Sequence, residues 1–252
     1  MKVQVIIATQ KQTRLPEDAL YLPLQVGAAG KDPLYAYRDD TGDNISRKNR
    51  NYCELTGLYW AWKNLTADAV GLCHYRRFFC RSRLQEKRKS IITAAEAEGL
   101  LERCPLILPR KRHYFIETNY SQYIHAHHPE DLAMTREIIR QDHPDYLAAY
   151  DKVMADTKGH RFNMLIMRRP LLDAYCDWLF GILFTLEERL DISGYSDYDK
   201  RVFGFVAERL LDVWVEKNAV AYRELPVRNM ERQHWGKKIM SFLRRKITYR
   251  RR

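Results

Sequence analysis

The sequence lacks several features that would place it in a familiar functional class. It has only 11 glycines, and neither G-x-x-x-x-G-K-S/T nor another glycine-rich phosphate loop occurs, which argues against a kinase or similar phosphotransferase. Its five cysteines form no C-x-x-C pair and no metal-ligand spacing, a pattern that suits reduced thiols in a reducing compartment. No apolar run approaches the roughly 20 residues of a membrane-spanning helix. The first run, which Gln4 interrupts, is too short for a signal peptide. These absences predict a cytoplasmic protein.

Positive charge is concentrated at one end of the 252-residue chain, whose formal net charge is +11. Residues 231–252 contain nine Lys or Arg and one acid, so this segment carries about +8 and residues 1–230 about +3. Nucleic-acid-binding proteins usually present basic residues on a face of the folded body. The nearly balanced body therefore predicts no nucleic-acid partner, and the basic segment needs its own explanation.

Short buried strands alternate with helices along the first half of the chain. Strand candidates lie at 3–8, 69–73, 105–108, 162–167 and 220–225, and Pro23 makes the run at 21–26 an edge or irregular strand. Helical periodicity covers 51–64, 94–102, 130–141, 146–155, 170–190 and 197–217. The pattern predicts one α/β domain over residues 1–230, with a mainly parallel central sheet and a helix-rich C-terminal half.

The most unusual composition follows the strand at 69–73. That strand leads into His74, Tyr75, Arg76 and Arg77, and ligands of open α/β sheets bind at the carboxyl ends of strands. Guanidinium groups match the geometry of phosphate oxygens. Composition alone leaves open the alternative that the arginines are solvated and that His74 and Tyr75 are packed.

A second candidate site is the polar loop at 39–46. Asp43, Asn44 and Ser46 can hydrogen-bond a ribose or a uracil edge, although a simple turn built from turn-forming residues explains the same composition. Thr9, which follows the first strand, has the same status.

The second half of the chain offers carboxylates near a predicted helix start. Asp197-Tyr198-Asp199 spells D-x-D, a pattern that holds a divalent ion in many sugar-nucleotide transferases, but acids at a helix N-terminus are also favoured by the helix dipole. Arg201 and Glu208 lie seven residues apart on one helix face, where they face either a cleft or a surface ion-pair network. We predict no protein metal ligands.

The histidines match no zinc-binding pattern, and we expect most of them to be surface or structural residues. His160 is the exception, because it precedes a strand and can lie at the edge of a cleft. The others are His113, His125, His127 and His128.

The basic C-terminal segment is also amphipathic. Apolar residues recur on one helical face with Lys and Arg around them, as in helices that lie in the interface of an anionic membrane. A helix docked on the body and a disordered end remain alternatives. The apolar residues are Trp235, Ile239, Phe242 and Leu243.

Four blocks of the sequence resemble a known bacterial family. They are residues 43–63, 70–79, 159–167 and 201–211, and together they span nearly the whole body. The family is the domain of unknown function 4422, whose members occur in capsule, exopolysaccharide and O-antigen gene clusters and are treated as glycosyltransferases.

The resemblance implies a GT-A-like fold, a UDP-sugar donor (galactose in its pyranose or furanose form) and a lipid-linked oligosaccharide acceptor at the inner face of the plasma membrane. In that architecture a D-x-D motif usually follows a central strand, whereas this chain has His74 to Arg77 there. A requirement for Mn²⁺ or Mg²⁺ therefore stays open.

The roles that we assign on this basis are hypotheses. Asp199 or Glu208 would act as the base beside Arg201, and Arg76 and Arg77 would stabilise the leaving diphosphate. The remaining donor-site candidates are Thr9, Asp43, Asn44, Ser46, His74, Tyr75 and His160. The rival class is a non-catalytic basic adaptor that binds a membrane or RNA.

Removing the residues after Gln233 should release the protein from anionic vesicles, because most of its positive charge lies there. Transfer to a short soluble acceptor should stay mostly intact. Vesicle co-sedimentation beside a transfer assay checks both, and unchanged vesicle binding would rule out this segment as the anchor.

Overall fold

The protein is described by a computed structural model that covers residues 1–82 and 84–231. The predicted membrane helix and most of the predicted 231–252 segment therefore lie outside the described residues. The strands are β1 (Val3–Thr9), β2 (Tyr21–Gln25), β3 (Tyr37–Arg38), β4 (Ala69–His74), β5 (Arg77–Phe79), β6 (Leu106–Pro109), β7 (Arg112–His113), β8 (Lys158–Gly159), β9 (Leu165–Arg168), β10 (Arg223–Leu225) and β11 (Val227–Asn229). The α-helices are α1 (Asn49–Tyr52), α2 (Leu55–Asn64), α3 (Ala94–Arg103), α4 (Asn119–Ile124), α5 (Pro129–Asp142), α6 (Leu147–Ala155), α7 (Arg169–Arg189) and α8 (Val202–Lys217).

One large sheet forms the centre of the described structure, with strand order β10-β6-β9-β4-β1-β2-β3. Every neighbouring pair on this path is parallel except the two that involve β9, so six of its seven strands run in one direction. The short β5 joins β4 and β11 on the side, and β7 pairs separately with β8. The predicted α/β class with a mainly parallel sheet is confirmed.

Both faces of the sheet are buried, which explains the continuous apolar runs in the sequence. Ile6 of β1 and Leu72 of β4 pack into the larger core with α2, α7 and α8. Ile7 and Cys73, the adjacent residues on the same strands, pack into a smaller core on the opposite face with α3. Within the described residues no helix is long and apolar enough to cross a membrane.

The prediction that the strand at 21–26 lies at an edge is wrong, because β2 is paired on both sides, with β1 and β3. Pro23 is tolerated inside the sheet because β3 has only two residues and pairs with Leu24 and Gln25. Position 23 therefore has no strand partner on that side, and its missing N–H breaks no ladder there.

Three predicted elements are shorter than the periodicity indicated. Cys53, with φ +53°, separates α1 from α2, so the helix predicted at 51–64 is interrupted. Phe162 and Asn163 also have positive φ and delay the strand to Leu165. The helix predicted from 197 begins at Val202, after a 3-10 turn. Residues at all three interruptions line the same cavity.

Candidate active site

A cavity of about 940 Å³ opens at the carboxyl end of β4. Its boundaries are the residues after β4, the start of α2, the segment after β8, one face of α8, and the segment from β7 to α4. The charged side chains and histidines that line it are Glu54, His74, Arg76, Arg77, Arg112, His113, Glu117, His125, His127, Arg161, Arg201, Glu208 and Arg209.

His74 and Glu54 form the base of the cavity. The Nε2 atom of His74 lies 2.7 Å from the carbonyl oxygen of Phe162 and 3.8 Å from a carboxylate oxygen of Glu54. The same oxygen of Glu54 accepts a hydrogen bond of 2.8 Å from the amide of Asn163. The reversed backbone at residues 162 and 163 therefore fixes both side chains.

Arg76 and Arg77 extend from the end of β4 in different environments. The Arg77 guanidinium lies 4.1 Å from the centre of the Phe162 ring, and no carboxylate within the described ranges forms an ion pair with it. Burial, followed by the charge of Arg76, lowers the pKa of Arg77. Arg76 instead contacts Glu231 at 3.3 Å. Arg77 is thus a partly buried cation that an anionic ligand can neutralise.

Glu208 on α8 and Arg201, in the 3-10 turn just before that helix, both line the cavity, seven residues apart as predicted. One carboxylate oxygen of Glu208 accepts the backbone N–H of Phe162 at 2.9 Å, and the other accepts from Arg209 at 3.1 Å. The Nε atom of Arg201 lies 3.1 Å from the sulfur of Cys53. Burial raises the pKa of the Cys53 thiol to about 11, so this thiol is protonated at neutral pH.

His127 is held between aromatic rings at one side of the cavity. Its ring stacks on Phe205 and Tyr198, with centroid distances of 4.2 and 5.7 Å, and its Nδ1 atom lies 3.3 Å from a carboxylate oxygen of Asp199. Burial lowers the pKa of His127 to about 4, although Asp199 opposes this change. The imidazole is therefore neutral at pH 7.

Of the predicted site residues, the structure brings His74, Arg76, Arg77, Arg201 and Glu208 together around the cavity. Asp199 does not line it, and reaches it only through His127.

The other predicted residues at the carboxyl edge of the sheet lie outside the lining of this cavity. The hydroxyl of Thr9 donates to the carbonyl of Lys11 at 2.8 Å. The ammonium nitrogen of Lys11 lies 4.6 Å from the centre of the Tyr75 ring. His160 is 3% exposed and is bonded to Asp212 and Glu224. Its predicted position at the edge of a cleft is not found at this cavity.

The predicted loop at 39–46 uses its polar groups internally. Asp43 accepts from the Tyr59 hydroxyl at 3.1 Å, and Asn44 donates to the carbonyl of Gly42 at 2.9 Å. The hydroxyl of Ser46 donates to the fully buried carboxylate of Asp39. These contacts are those of a structured turn, and none of the three predicted residues lines the cavity.

The two acids of the D-x-D sequence have different partners. Asp197 pairs with Arg50, and Asp199 accepts from Ser196 and contacts His127. Among the residues that the structure describes, no three His, Cys, Asp or Glu side chains cluster as metal ligands. The groups at the end of β4 are guanidiniums, which do not fit a divalent cation that prefers oxygen ligands.

Several residues of the cavity were missed at the sequence level. Glu54 sits in a helical pattern, and only the backbone reversal at Cys53 brings it to the cavity. Arg112 and Arg161 lie in short segments without a motif. His113, His125 and His127, expected to be surface or structural, line the cavity as well. Their spacing carried no signal, because chain segments distant in sequence bring them together.

Comparison with known proteins shows which family this arrangement belongs to. The model of the family DUF4422, described as a domain of unknown function, matches residues 4–219. The chain belongs to this family. The match runs from β1 into the turn after α8 and includes every residue that lines the cavity.

This chain also resembles a solved structure, that of the WbbM bifunctional glycosyltransferase in its apo form. The sequences are 30% identical and the TM-score is 0.86 over 92% of this chain. The matched region is 46% of the WbbM chain, so this chain spans about half the length of that protein. A search of curated proteins gave no match.

Acidification should destabilise the protein partly through His127. Its folded-state pKa of about 4 lies below the ordinary value of 6.5, so between these pH values the unfolded chain takes up a proton that the folded protein does not. This contribution is present above pH 6.5 and is lost as the pH falls toward 4, up to about 3 kcal/mol.

Replacing His127 by Gln should therefore flatten the dependence of unfolding free energy on pH between 6.5 and 4. Urea titrations across this range measure it, with His113→Gln, an exposed histidine, as the control. Equal slopes for the wild type and His127→Gln would contradict the assignment.

Proposed function

We propose that this chain is a glycosyltransferase that moves a hexose from a UDP-sugar to a lipid-linked oligosaccharide in the synthesis of capsule, exopolysaccharide or O-antigen. Galactose, in its pyranose or furanose form, is the sugar that we favour. The observation that carries the proposal is the cavity at the carboxyl end of β4, which both Arg77 and Glu208 line. The likeness of the chain to WbbM, a bifunctional glycosyltransferase, supports it.

The proposed reaction is a direct displacement at the anomeric carbon. A bond forms between the acceptor hydroxyl oxygen and this carbon, while the bond from the carbon to the β-phosphate oxygen breaks. The hydroxyl proton passes to Glu208, and UDP leaves with the bonding electron pair. Arg77 and Arg76 stabilise the negative charge that develops on the leaving diphosphate.

Glu208 is favoured over Asp199 as the base because only Glu208 lines the cavity. Asp199 instead contacts the imidazole of His127. Glu208 is also held in place, since each of its carboxylate oxygens accepts one hydrogen bond. The remaining lone pairs of the carboxylate can accept the proton of a sugar hydroxyl.

A GT-A-type donor site and a peripheral position at the inner face of the plasma membrane belong to the same proposal. The open parallel sheet supports the first, because such sheets bind ligands at the carboxyl ends of their strands. The charge of residues 231–252 supports the second. No step of the mechanism is assigned to a metal ion.

The adaptor alternative has less support. A non-catalytic adaptor needs no deep polar cavity, whereas this one of about 940 Å³ is lined by charged groups from five parts of the chain.

UDP should stabilise the protein against thermal unfolding. A ligand at a hundred times its dissociation constant adds about 2.7 kcal/mol, which corresponds to a rise of several degrees in Tm. In a panel of nucleoside diphosphates, with and without Mn²⁺, we expect the largest rise with UDP. Arg77→Gln should abolish it, and Arg14→Gln, which removes an exposed charge outside the cavity, should not. No response of the wild type to any nucleotide would refute the donor site.

Replacement of Glu208 by Gln should lower kcat by about 10²-fold or more, because proton transfer by a positioned base contributes this much. Asp199→Asn should lower it less than about tenfold, since that residue acts only through His127. Radiolabelled sugar transfer measures both, with Glu188→Gln as an exposed control. Near-normal turnover of Glu208→Gln would exclude Glu208 as the base.

A further inference from the structure

A second group of cations lines the cavity from segments other than the end of β4. Arg112 is on β7, opposite Gly159 of β8, and Arg161 follows shortly after β8. Both line the cavity. In residues 1–82 and 84–231, no carboxylate forms an ion pair with either guanidinium, and the Arg161 guanidinium lies 5.1 Å from the centre of the Tyr114 ring.

These two arginines come from paired segments, because Arg112 is opposite Gly159, two residues before Arg161. Partial desolvation in the cavity, and then the charge of Arg161, lower the pKa of Arg112. Two neighbouring guanidiniums without a carboxylate repel each other, and an anion between them removes this cost. The pair is distinct from Arg76 and Arg77, which follow β4.

The same segment also exposes two large apolar side chains. Phe115 is 85% exposed and Ile116 is 75% exposed, and both line the cavity. The N–H of Ile116 donates to the carbonyl of Tyr114 at 2.8 Å and closes a γ-turn in which Phe115 has φ +63°. This turn is rare and strained, and a bulky residue at positive φ is an outlier.

The turn is anchored to the body rather than loose. The N–H of Tyr114 donates to the carbonyl of Thr157 at 2.8 Å, and β7 pairs with β8 just before it. A strained and anchored backbone thus holds two apolar side chains in water next to two unpaired cations. Backbone strain of this kind is concentrated at binding sites.

We propose that Arg112 and Arg161, with Phe115 and Ile116 beside them, form an acceptor subsite for the diphosphate and the first carbons of a lipid carrier. This inference rests on the proposed function, because it names the acceptor chemistry of the same cavity. A lipid diphosphate has an anionic group directly next to an apolar chain. The subsite likewise has its two arginines next to the apolar side chains of Phe115 and Ile116.

The subsite has a consequence for the place of the reaction in assembly. Because one cavity contains both arginine pairs, the diphosphate must lie close to the hydroxyl that reacts. The acceptor is then a short saccharide on its lipid carrier, so the chain acts soon after a reaction that attaches the first sugar phosphate to that lipid.

Calorimetric titration of the full-length protein tests the subsite, with inorganic pyrophosphate and farnesyl diphosphate as probes. Both should bind to protein that is already saturated with UDP. Arg112→Gln combined with Arg161→Gln should weaken pyrophosphate binding about tenfold or more and leave UDP affinity within about twofold. Arg76→Gln combined with Arg77→Gln should do the reverse. The control is Arg110→Gln, an exposed charge two residues before Arg112 that does not line the cavity.

The lipid part has its own readout. Farnesyl diphosphate should bind about tenfold more tightly than pyrophosphate, and Phe115→Ser with Ile116→Ser should remove this difference. Equal affinity of the two probes for the wild type would overturn the lipid assignment and leave a site for free phosphate.

Two further outcomes separate the subsite from the donor site. If pyrophosphate is displaced by UDP, and the Arg112 and Arg161 variant loses UDP affinity, these arginines belong to the donor site and the subsite is overturned. If UDP does not bind at all, the proposed function fails. The pyrophosphate titrations of the same variants without UDP then still decide the subsite.

Discussion

The absence of a side chain at Gly71 allows the close packing at the centre of this fold. A Cβ atom at this position would lie 2.8 Å from a methyl carbon of Val5, 2.9 Å from Ile166 and 2.9 Å from the carbonyl oxygen of Leu165. A side chain at this position would displace these neighbours on β1 and β9, so the packing of β4 between the two strands depends on the glycine. His74 at the end of β4 and Arg77 at the start of β5 are paired with each other, so they are held by the sheet rather than by a free loop. Functional groups on such elements are held more accurately than groups on loops.

Charge is distributed in a way that matches this geometry. Six arginines and three glutamates line the cavity, an excess of three positive charges. Residues 1–230 as a whole carry a formal excess of the same size, so the rest of the body is balanced. A cavity with a net positive charge and partly desolvated surroundings concentrates anions at its opening. The net charge of the lining therefore favours the two anionic substrates of the proposed reaction.

The hydrophobic pattern of the sequence was sufficient to predict the strands that are buried on both faces and the strongly periodic helices. It failed where the chain changes direction. β1, β4 and α7 follow from apolar runs and from helical period, and the arginines after β4 follow from their position at a strand end. Glu54 could not be found in this way, because only the positive φ of Cys53 turns it out of a helix. The loop at 39–46 was interpreted as a binding site because the role of Asp39 could not be predicted. Its carboxylate is fully buried and accepts hydrogen bonds from backbone and hydroxyl groups. The polar groups of that loop look available in sequence but are internally bonded.

The contact of Arg76 with Glu231 affects how the cavity would bind the diphosphate of the proposed donor. Glu231 also contacts the ammonium of Lys11 at 3.4 Å, so one carboxylate bridges the residues that follow β1 and β4. The side chains of Arg76 and Glu231 are 39% and 44% exposed, and exposed pairs contribute only about 0–1 kcal/mol. Hydrogen bonds from a guanidinium to phosphate contribute more, about 1.5–3 kcal/mol. A phosphate can therefore displace Glu231 from Arg76 at little cost, while Arg77 needs no such exchange.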